Sequence, residues 1–274
     1  LRASGPIGRP GGQVDFAQES VQRGNGSDCR GRLAVVGIGP GETGQMSGRA
    51  LEALEQAEVV VGYKAYIELI FGLLLEKEVV SSGMTKEVER CSLAINRALE
   101  GKKVALVSSG DPGVYGMAGL VLELLEQKGA VESLDLEIIP GITAATFAAA
   151  CLGAPLMHDF VVISLSDLLT PWEIIEKRLE HACRGDFVVV LYNPSSRKRT
   201  EQIHKAREIM LEYKKPATPV GIVRNVARKD EVSVITDLER MVNYSIDMFT
   251  TIIIGNSQTR RVGRFLVTPR GYRL

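Results

Sequence analysis

The sequence has no surplus of charge: 33 basic and 33 acidic side chains cancel to a formal net charge of zero. A nucleic-acid binder would carry a basic excess gathered on one face, so neither DNA nor RNA is an expected partner. There is no run of about 18 uninterrupted apolar residues of the kind a membrane-crossing helix needs, and no apolar secretory-signal core near the first residue. No membrane partner is expected, and the expected location is cytoplasmic. Only four cysteines are present, Cys29, Cys91, Cys151 and Cys183, none in paired CxxC spacing. Neither a disulfide framework nor a zinc knuckle is indicated. Histidine is scarce as well, and His181 with Cys183 offers two candidate ligands without partners, so no protein-bound metal is expected. No repeat of solenoid period runs through the chain.

What is there is apolar material, 45% of 274 residues, enough for one large or two ordinary cores, and two domains is the better expectation. Residues 1–32 are rich in Gly, Arg, Ser, Gln and Pro and show neither apolar period, so a flexible leader is expected there. Folding signals begin with LAVVGIG (Leu33 to Gly39). Strands are expected at Val59 to Gly62, at KVALVSS from Lys103 and at Leu136 to Ile139. Helices are expected after Ser47, near Tyr66 to Glu76, from Thr85 to Glu100, from Met117 to Lys128 and in the Ala-rich stretch ending at Cys151. Alternating strands and helices imply a largely parallel sheet.

The Gly153 to Asp159 segment interrupts this pattern with Gly and Pro, giving expected domains of 33–155 and 156–274. Beyond it, five strands are expected at Phe160 to Asp167, Phe187 to Asn193, Pro219 to Asn225, Val232 to Thr236 and Phe249 to Asn256, with helices at Trp172 to Ala182 and Arg199 to Tyr213. The last strands follow one another closely, which suggests a mixed sheet with some antiparallel pairing. The fold class is therefore α/β, two domains with mostly parallel or mixed sheets.

Three glycine loops follow strands. Gly39-Pro-Gly41-Glu-Thr-Gly44 satisfies GxGxxG and on spacing alone suggests a nicotinamide-dependent reductase. Pro40 removes a backbone donor from that turn, however, and Gly62-Tyr-Lys stands where a ribose-binding acid belongs. Ser108 to Tyr115 (SSGDPGVY) lies at the carboxyl end of an apolar strand, where open α/β sheets bind ligands. Gly110 and Gly113 permit close backbone approach, and Asp111 with Pro112 stiffens the turn. Pro140-Gly-Ile-Thr143 again joins strand to helix, with Thr143 placed to cap that helix or to bond a ligand.

GIGPG (Gly37 to Gly41), SGDPGVYG (Ser109 to Gly116) and PGIT (Pro140 to Thr143), in this order, resemble the tetrapyrrole methylase family from about Leu33 to Gly255. VGYKAYIELI (Val61 to Ile70), SSGMTKEVERC (Ser81 to Cys91), GAPLMHDFVVISLSDLLTPWE (Gly153 to Glu173) and LYNPSSRKR (Leu191 to Arg199) look like its precorrin-3B or cobalt-factor III C(17)-methyltransferase subgroup.

The resemblance implies a cleft between two domains, one S-adenosylmethionine within it, and a homodimer. It implies methylation of carbon 17 of a corrin precursor coupled to ring contraction, giving precorrin-4 or cobalt-precorrin-4 in cobalamin biosynthesis, with any cobalt belonging to the substrate. Methylation of another tetrapyrrole carbon is an alternative, and ribosomal RNA, a substrate in the wider fold family, fits the neutral charge poorly. The implied cofactor residues are Pro40, Ser109, Gly110, Asp111, Val114, Thr143 and Ala144, joined by Tyr192, Asn225, Val226, Thr251 and Ile252. Ring contraction would be helped by a general base, for which His158 with Asp159 is the candidate because His181 and His204 fall on expected surface helices. Arg197, Lys198 and Arg199 are candidates to meet substrate carboxylates, whereas Lys86 and Arg90 read more simply as a solvated helix face.

Overall fold

The computed structural model describes residues 30–196 and 198–273. Residues 1–29 of the expected leader and Arg197 lie outside the described residues. Chain order in the first half is β1 (Arg32–Gly37), α1 (Gly48–Gln56), β2 (Val59–Tyr63), α2 (Lys64–Leu69), β3 (Glu78–Ser82), α3 (Glu87–Leu99), β4 (Lys103–Ser108), α4 (Ala118–Gln127), β5 (Asp135–Ile139) and α5 (Ala144–Leu152). The first five strands form one sheet in the order β3-β2-β4-β1-β5, parallel at every pairing. Strand β3 has no counterpart among the sequence expectations. It is an edge strand with mostly exposed side chains, so EVVSS shows no apolar run.

Alternation along β1 sends Leu33 and Val35 into a core with α3 and α4, and Ala34 and Val36 into a second core with α1 and α2. A fully buried Val or Leu is worth about 1.5–3 kcal/mol, so the two faces of this sheet carry most of its stability. Helix α1 starts where Ser47 accepts a hydrogen bond from Ala50 N at 3.1 Å, closing one of the open amides of the first turn.

The second half contributes β6 (Gly153–Ala154), β7 (Phe160–Ser164), α6 (Trp172–Arg184), β8 (Val188–Tyr192), α7 (Gln202–Leu211), β9 (Pro219–Arg224), β10 (Val232–Asp237), β11 (Thr250–Ile254), β12 (Arg260–Val262) and β13 (Phe265–Val267). Its sheet runs β10-β9-β11-β8-β7, with β7 and β8 parallel and β11 antiparallel to both β8 and β9. The mixed sheet expected from close strand spacing is present. One face packs on α6 and α7. The other face, Val188, Val190, Val223 and Ile253, packs on α5 through Ala145, Ala148, Ala149 and Leu152. Helix α5 thus begins at a loop of the first sheet and buries its apolar face on the second. Strands β12 and β13 form a hairpin whose β13 runs parallel to β6. Among the described residues no helix is long and apolar enough to cross a membrane.

Glu137 of β5 ties three elements together: it accepts from Arg32 Nη2 of β1 at 2.6 Å and from Arg49 Nε of α1 at 2.6 Å. The Arg49 hydrogen bond, with help from Arg32 and against some desolvation, holds its carboxyl down at about 2, well below the ordinary 4.5. A depressed folded-state value means that this stabilisation is present above the ordinary carboxylate range and is lost as pH falls toward 2. Glu137→Gln is expected to lower stability by about 1 kcal/mol at pH 7 and by much less at about pH 3. Urea unfolding at the two pH values checks this, and an equal loss at both would contradict it.

Candidate active site between the two sheets

The strand order brings together motifs that are far apart in sequence. Because β1 lies between β4 and β5, with Gly37 opposite Ser108 and Val36 opposite Ile139, the loops that follow these strands emerge side by side. They are then joined directly. Gly39 N donates to Gly110 O at 3.1 Å, and Gly110 N returns to Gly39 O at 2.8 Å. Asp111 presents one carboxylate oxygen to Gly113 N at 2.8 Å and the other to Gly141 N at 3.2 Å, linking the second loop to the third. Glycine is required for this packing: a Cβ on Gly141 would stand 2.1 Å from Gly110 O, and one on Gly37 would stand 2.6 Å from Gly141 N.

Two tyrosines carry the loops across to the second sheet. Tyr192, at the carboxyl end of β8, meets Thr143 Oγ1 at 2.5 Å and accepts from Ala145 N at 2.6 Å. Thr143 occupies the N-cap position of α5 but makes no side-chain cap, so the tyrosine hydroxyl closes the first turn in its place. Burial raises the Tyr192 hydroxyl pKa above its usual value, and the bonds to Thr143 and Ala145 oppose that only in part. Tyr115, from the GDPGVYG loop, donates to Val162 O at 3.1 Å and accepts from Ser164 N at 3.2 Å on the edge strand β7. The two tyrosine rings lie 5.8 Å apart.

Backbone strain gathers at the same place. Tyr115, Asn193, Asn225 and Ala227 all have φ between 51° and 53°. They stand in turns after β4, β8 and β9, where the carboxyl ends of both sheets face one another. Left-handed backbone at a bulky tyrosine is uncommon, and such strain collects where a site over-determines its geometry. The sequence carries no signal for it, because only Asn tolerates the left-handed region readily and asparagine is common in ordinary turns.

Of the cofactor residues expected from sequence, the structure groups Pro40, Ser109, Gly110, Asp111, Val114, Thr143 and Ala144 on the three joined loops, with Ser109 Oγ reaching Gly39 O at 3.4 Å. Tyr192 joins them. Asn225 and Val226 open the turn after β9, where Asn225 N donates to Phe249 O at 3.1 Å. Strand alternation puts Thr251 on the face shared with Ile253 and α5, but Ile252 points the other way into the core with Leu191 and Leu179. The Ile252 side chain is therefore not part of the cluster.

His158 and Asp159 are not brought there either. They pair with each other, Asp159 N to His158 Nδ1 at 2.8 Å, just before β7 begins. The site lies past the other end of that strand, about 16 Å away. Their neighbours are Asp186, Phe187 and Asn256, around an open hollow of about 420 Å³.

The expected basic residues divide. Lys86 forms an exposed ion pair with Glu89 at 2.5 Å on α3, as a solvated face would. Arg90 departs from that reading: it is buried, bonded to Ser82 Oγ at 2.9 Å and Gly83 O at 2.7 Å, and lies over the Tyr63 ring. Arg199 donates to the carbonyls of Leu165 at 3.0 Å and Asn193 at 2.5 Å, clamping the turns after β7 and β8. Lys198 is exposed. His181 Nδ1 is within 2.6 Å of Lys177 O, one turn back on α6. Among the described residues no group of three or more His, Cys, Asp or Glu side chains is placed to hold a metal ion. Burial pushes the Cys91, Cys151 and Cys183 thiols up to about 11, so none is a ready thiolate nucleophile near neutral pH.

The GxGxxG reading fails on topology. A dinucleotide-binding sheet runs 3-2-1-4-5-6 and starts its helix within the glycine turn. Here β4 separates β2 from β1, and α1 begins only at Gly48.

Glycine loops at the carboxyl ends of adjacent parallel strands, faced by a second mixed sheet, are the arrangement in which α/β enzymes hold their ligands. The chain belongs to the Tetrapyrrole (Corrin/Porphyrin) Methylases, whose family model matches residues 32–242. It is 51% identical over 245 residues to a cobalt-factor III methyltransferase of Priestia megaterium, covering 89% of this chain but 45% of that protein. The chain thus spans less than half the length of that relative. It is 49% identical to a probable cobalt-factor III C(17)-methyltransferase of Salmonella typhimurium, covering 88% of this chain and 100% of that one. The crystal structure of the methyltransferase CobJ superposes with a TM-score of 0.82 at 38% identity, covering 87% of this chain and 100% of that one.

Tyr192→Phe removes one hydroxyl that serves both Thr143 and the α5 amide, and is expected to lower stability by about 1–3 kcal/mol. Urea unfolding of the pure variant measures this. An unchanged midpoint would show that the contact between loop and second sheet does not depend on that hydroxyl.

Proposed function

We propose that this chain is an S-adenosylmethionine-dependent methyltransferase that methylates carbon 17 of cobalt-factor III, coupled to ring contraction, giving a ring-contracted product at the same oxidation level in cobalamin biosynthesis. The observation that carries the reading is the three joined glycine loops facing a second sheet, in a chain that over 88% of its length is 49% identical to a relative named a probable cobalt-factor III C(17)-methyltransferase. We read the working protein as a cytoplasmic homodimer, with domains near 33–155 and 156–274 and α5 lying between them.

S-adenosylmethionine supplies a methyl group on a sulfonium leaving group, so the protein's task is chiefly to bind, align and exclude water. The loop backbones suit such a guest. Gly110, at φ 64°, presents bare backbone beside the start of α5, where a Cβ would touch Thr143 Cα at 3.7 Å. The residues we assign to that guest are Pro40, Ser109, Asp111, Val114, Thr143 and Ala144 from the first sheet, and Tyr192, Asn225, Val226 and Thr251 from the second. Asp111 has both oxygens engaged by backbone amides, so its part is to fix the loops in register. We give His158 and Asp159 no role in proton removal, since they precede β7 while ligand loops in this architecture follow strands.

The test is incubation of purified protein with S-adenosylmethionine and either cobalt-factor III or precorrin-3B, read by mass spectrometry and visible absorption. One added methyl and a ring-contracted spectrum with the cobalt substrate is the expected result. Turnover of precorrin-3B alone would move the enzyme to the metal-free branch and to precorrin-4 as product. S-adenosylhomocysteine at about 100 times its Kd is expected to stabilise the fold by about 2.7 kcal/mol, and NADPH to leave it unchanged. Methyl transfer to a different carbon, located by NMR of the product, would sink the assignment to carbon 17.

A further inference from the structure

Three arginines stand near the facing ends of the two sheets, and two of them have partners. Arg224, the last residue of β9, pairs with Asp247 at 2.8 Å. Arg90 is held by Ser82 Oγ and the Gly83 carbonyl. Arg228 differs: among the described residues its guanidinium has neither an ion pair nor a side-chain hydrogen bond. It is partly buried, with its guanidinium carbon 5.1 Å from the centre of the Phe249 ring. Of the acids that follow it, Asp230 is exposed and forms no ion pair with it, and Glu231 is engaged elsewhere, accepting from Ala227 N at 2.6 Å and from the Cys151 thiol.

The position is set by the backbone. Strands β7, β8 and β9 end on one side of the second sheet, and Arg228 follows β9 in a turn held by the left-handed Asn225 and Ala227. Arg228 N closes that turn on Asn225 O at 2.9 Å. Across from it is Tyr66 on α2, directly after β2 of the first sheet. Burial raises the Tyr66 hydroxyl pKa, and the charge of Arg228 pulls it back down, the largest opposing effect. Tyr66 packs edge-on against Tyr63 with ring centres 5.1 Å apart. The Arg228 guanidinium thus lies over Phe249 of the second half, within electrostatic reach of Tyr66 of the first.

A partly desolvated arginine without an acid is costly unless a ligand completes it, and its planar fork matches a carboxylate through two hydrogen bonds. We infer that Arg228 is a substrate-binding residue, which receives a peripheral carboxylate of a flat, multiply carboxylated macrocycle lying against Tyr66 and Phe249. The inference rests on the reading of the substrate as a tetrapyrrole. A carboxylate docked here fixes the rotation of the macrocycle in its own plane, and with it which carbon faces the methyl donor. Arg228 is therefore a residue of site selectivity as well as of affinity.

The experiment compares Arg228→Gln and Arg228→Lys with the unaltered protein in three measurements. Calorimetric titration gives the Kd for S-adenosylhomocysteine. Absorbance titration gives the Kd for uroporphyrin, a tetrapyrrole bearing acetate and propionate groups, whether or not turnover occurs. Steady-state assay gives KM and kcat with cobalt-factor III. Arg228→Gln is expected to weaken uroporphyrin binding and raise the substrate KM by about tenfold or more, with S-adenosylhomocysteine affinity within about twofold and Arg228→Lys in between. Weakened S-adenosylhomocysteine binding would overturn the inference and give the guanidinium to the carboxylate of the methyl donor. Unchanged uroporphyrin affinity in Arg228→Gln, with or without a lower melting temperature, would overturn it and leave only packing on Phe249. If the unaltered protein binds uroporphyrin through Arg228 yet turns over neither candidate substrate, the proposed reaction fails while the inference about carboxylate binding stands.

Discussion

The site depends on how closely the backbones of three parallel-strand loops approach one another. Gly37 and Gly141 sit where any side chain would collide with a neighbouring peptide, and the paired bonds between Gly39 and Gly110 exist only because of that closeness. Everything further out inherits its position from this junction. Asp111 locks it on one side, Tyr115 and Tyr192 connect it to the second sheet, and the turn carrying Arg228 faces it from across the gap.

The division of labour between the two sheets follows from their composition. The first is parallel and buried on both faces, so its strands read as continuous apolar runs ending in glycine. The second is mixed, and it borrows α5 from the preceding half to cover one face. A helix shared in this way makes the two halves one packed object, even though each has a sheet of its own. It also explains why Tyr192, rather than a residue of the first half, closes the first turn of that helix.

Much of the fold was legible because strongly apolar strands and well-marked helices leave plain periodicities. The three loops were legible because glycine, proline and aspartate cluster after those strands. Strands β3, β6, β12 and β13 left no trace, being short or half exposed. His158 stands out in the sequence because His181 and His204 fall on expected surface helices, yet a residue that precedes a strand stands at its amino end, and ligand loops in this architecture follow strands. Ile252 was placed in the site although alternation with Ile253 turns one of the pair inward. The roles of Tyr115 and Arg228 depend on left-handed turns and on contacts between residues far apart in sequence, such as Arg228 with Phe249, which no local pattern encodes.

Helix α5 packs on the second sheet, while the loop that leads into it is bonded to the first through Asp111 and Gly141. The few peptide units from Gly141 to Thr143 are thus fastened at both ends to different bodies. A displacement of one sheet against the other would have to be taken up there or by breaking the tyrosine contacts, so this short segment carries the strain between them. A guest seated on Gly110 and Thr143 together would bridge that segment and act as a splint.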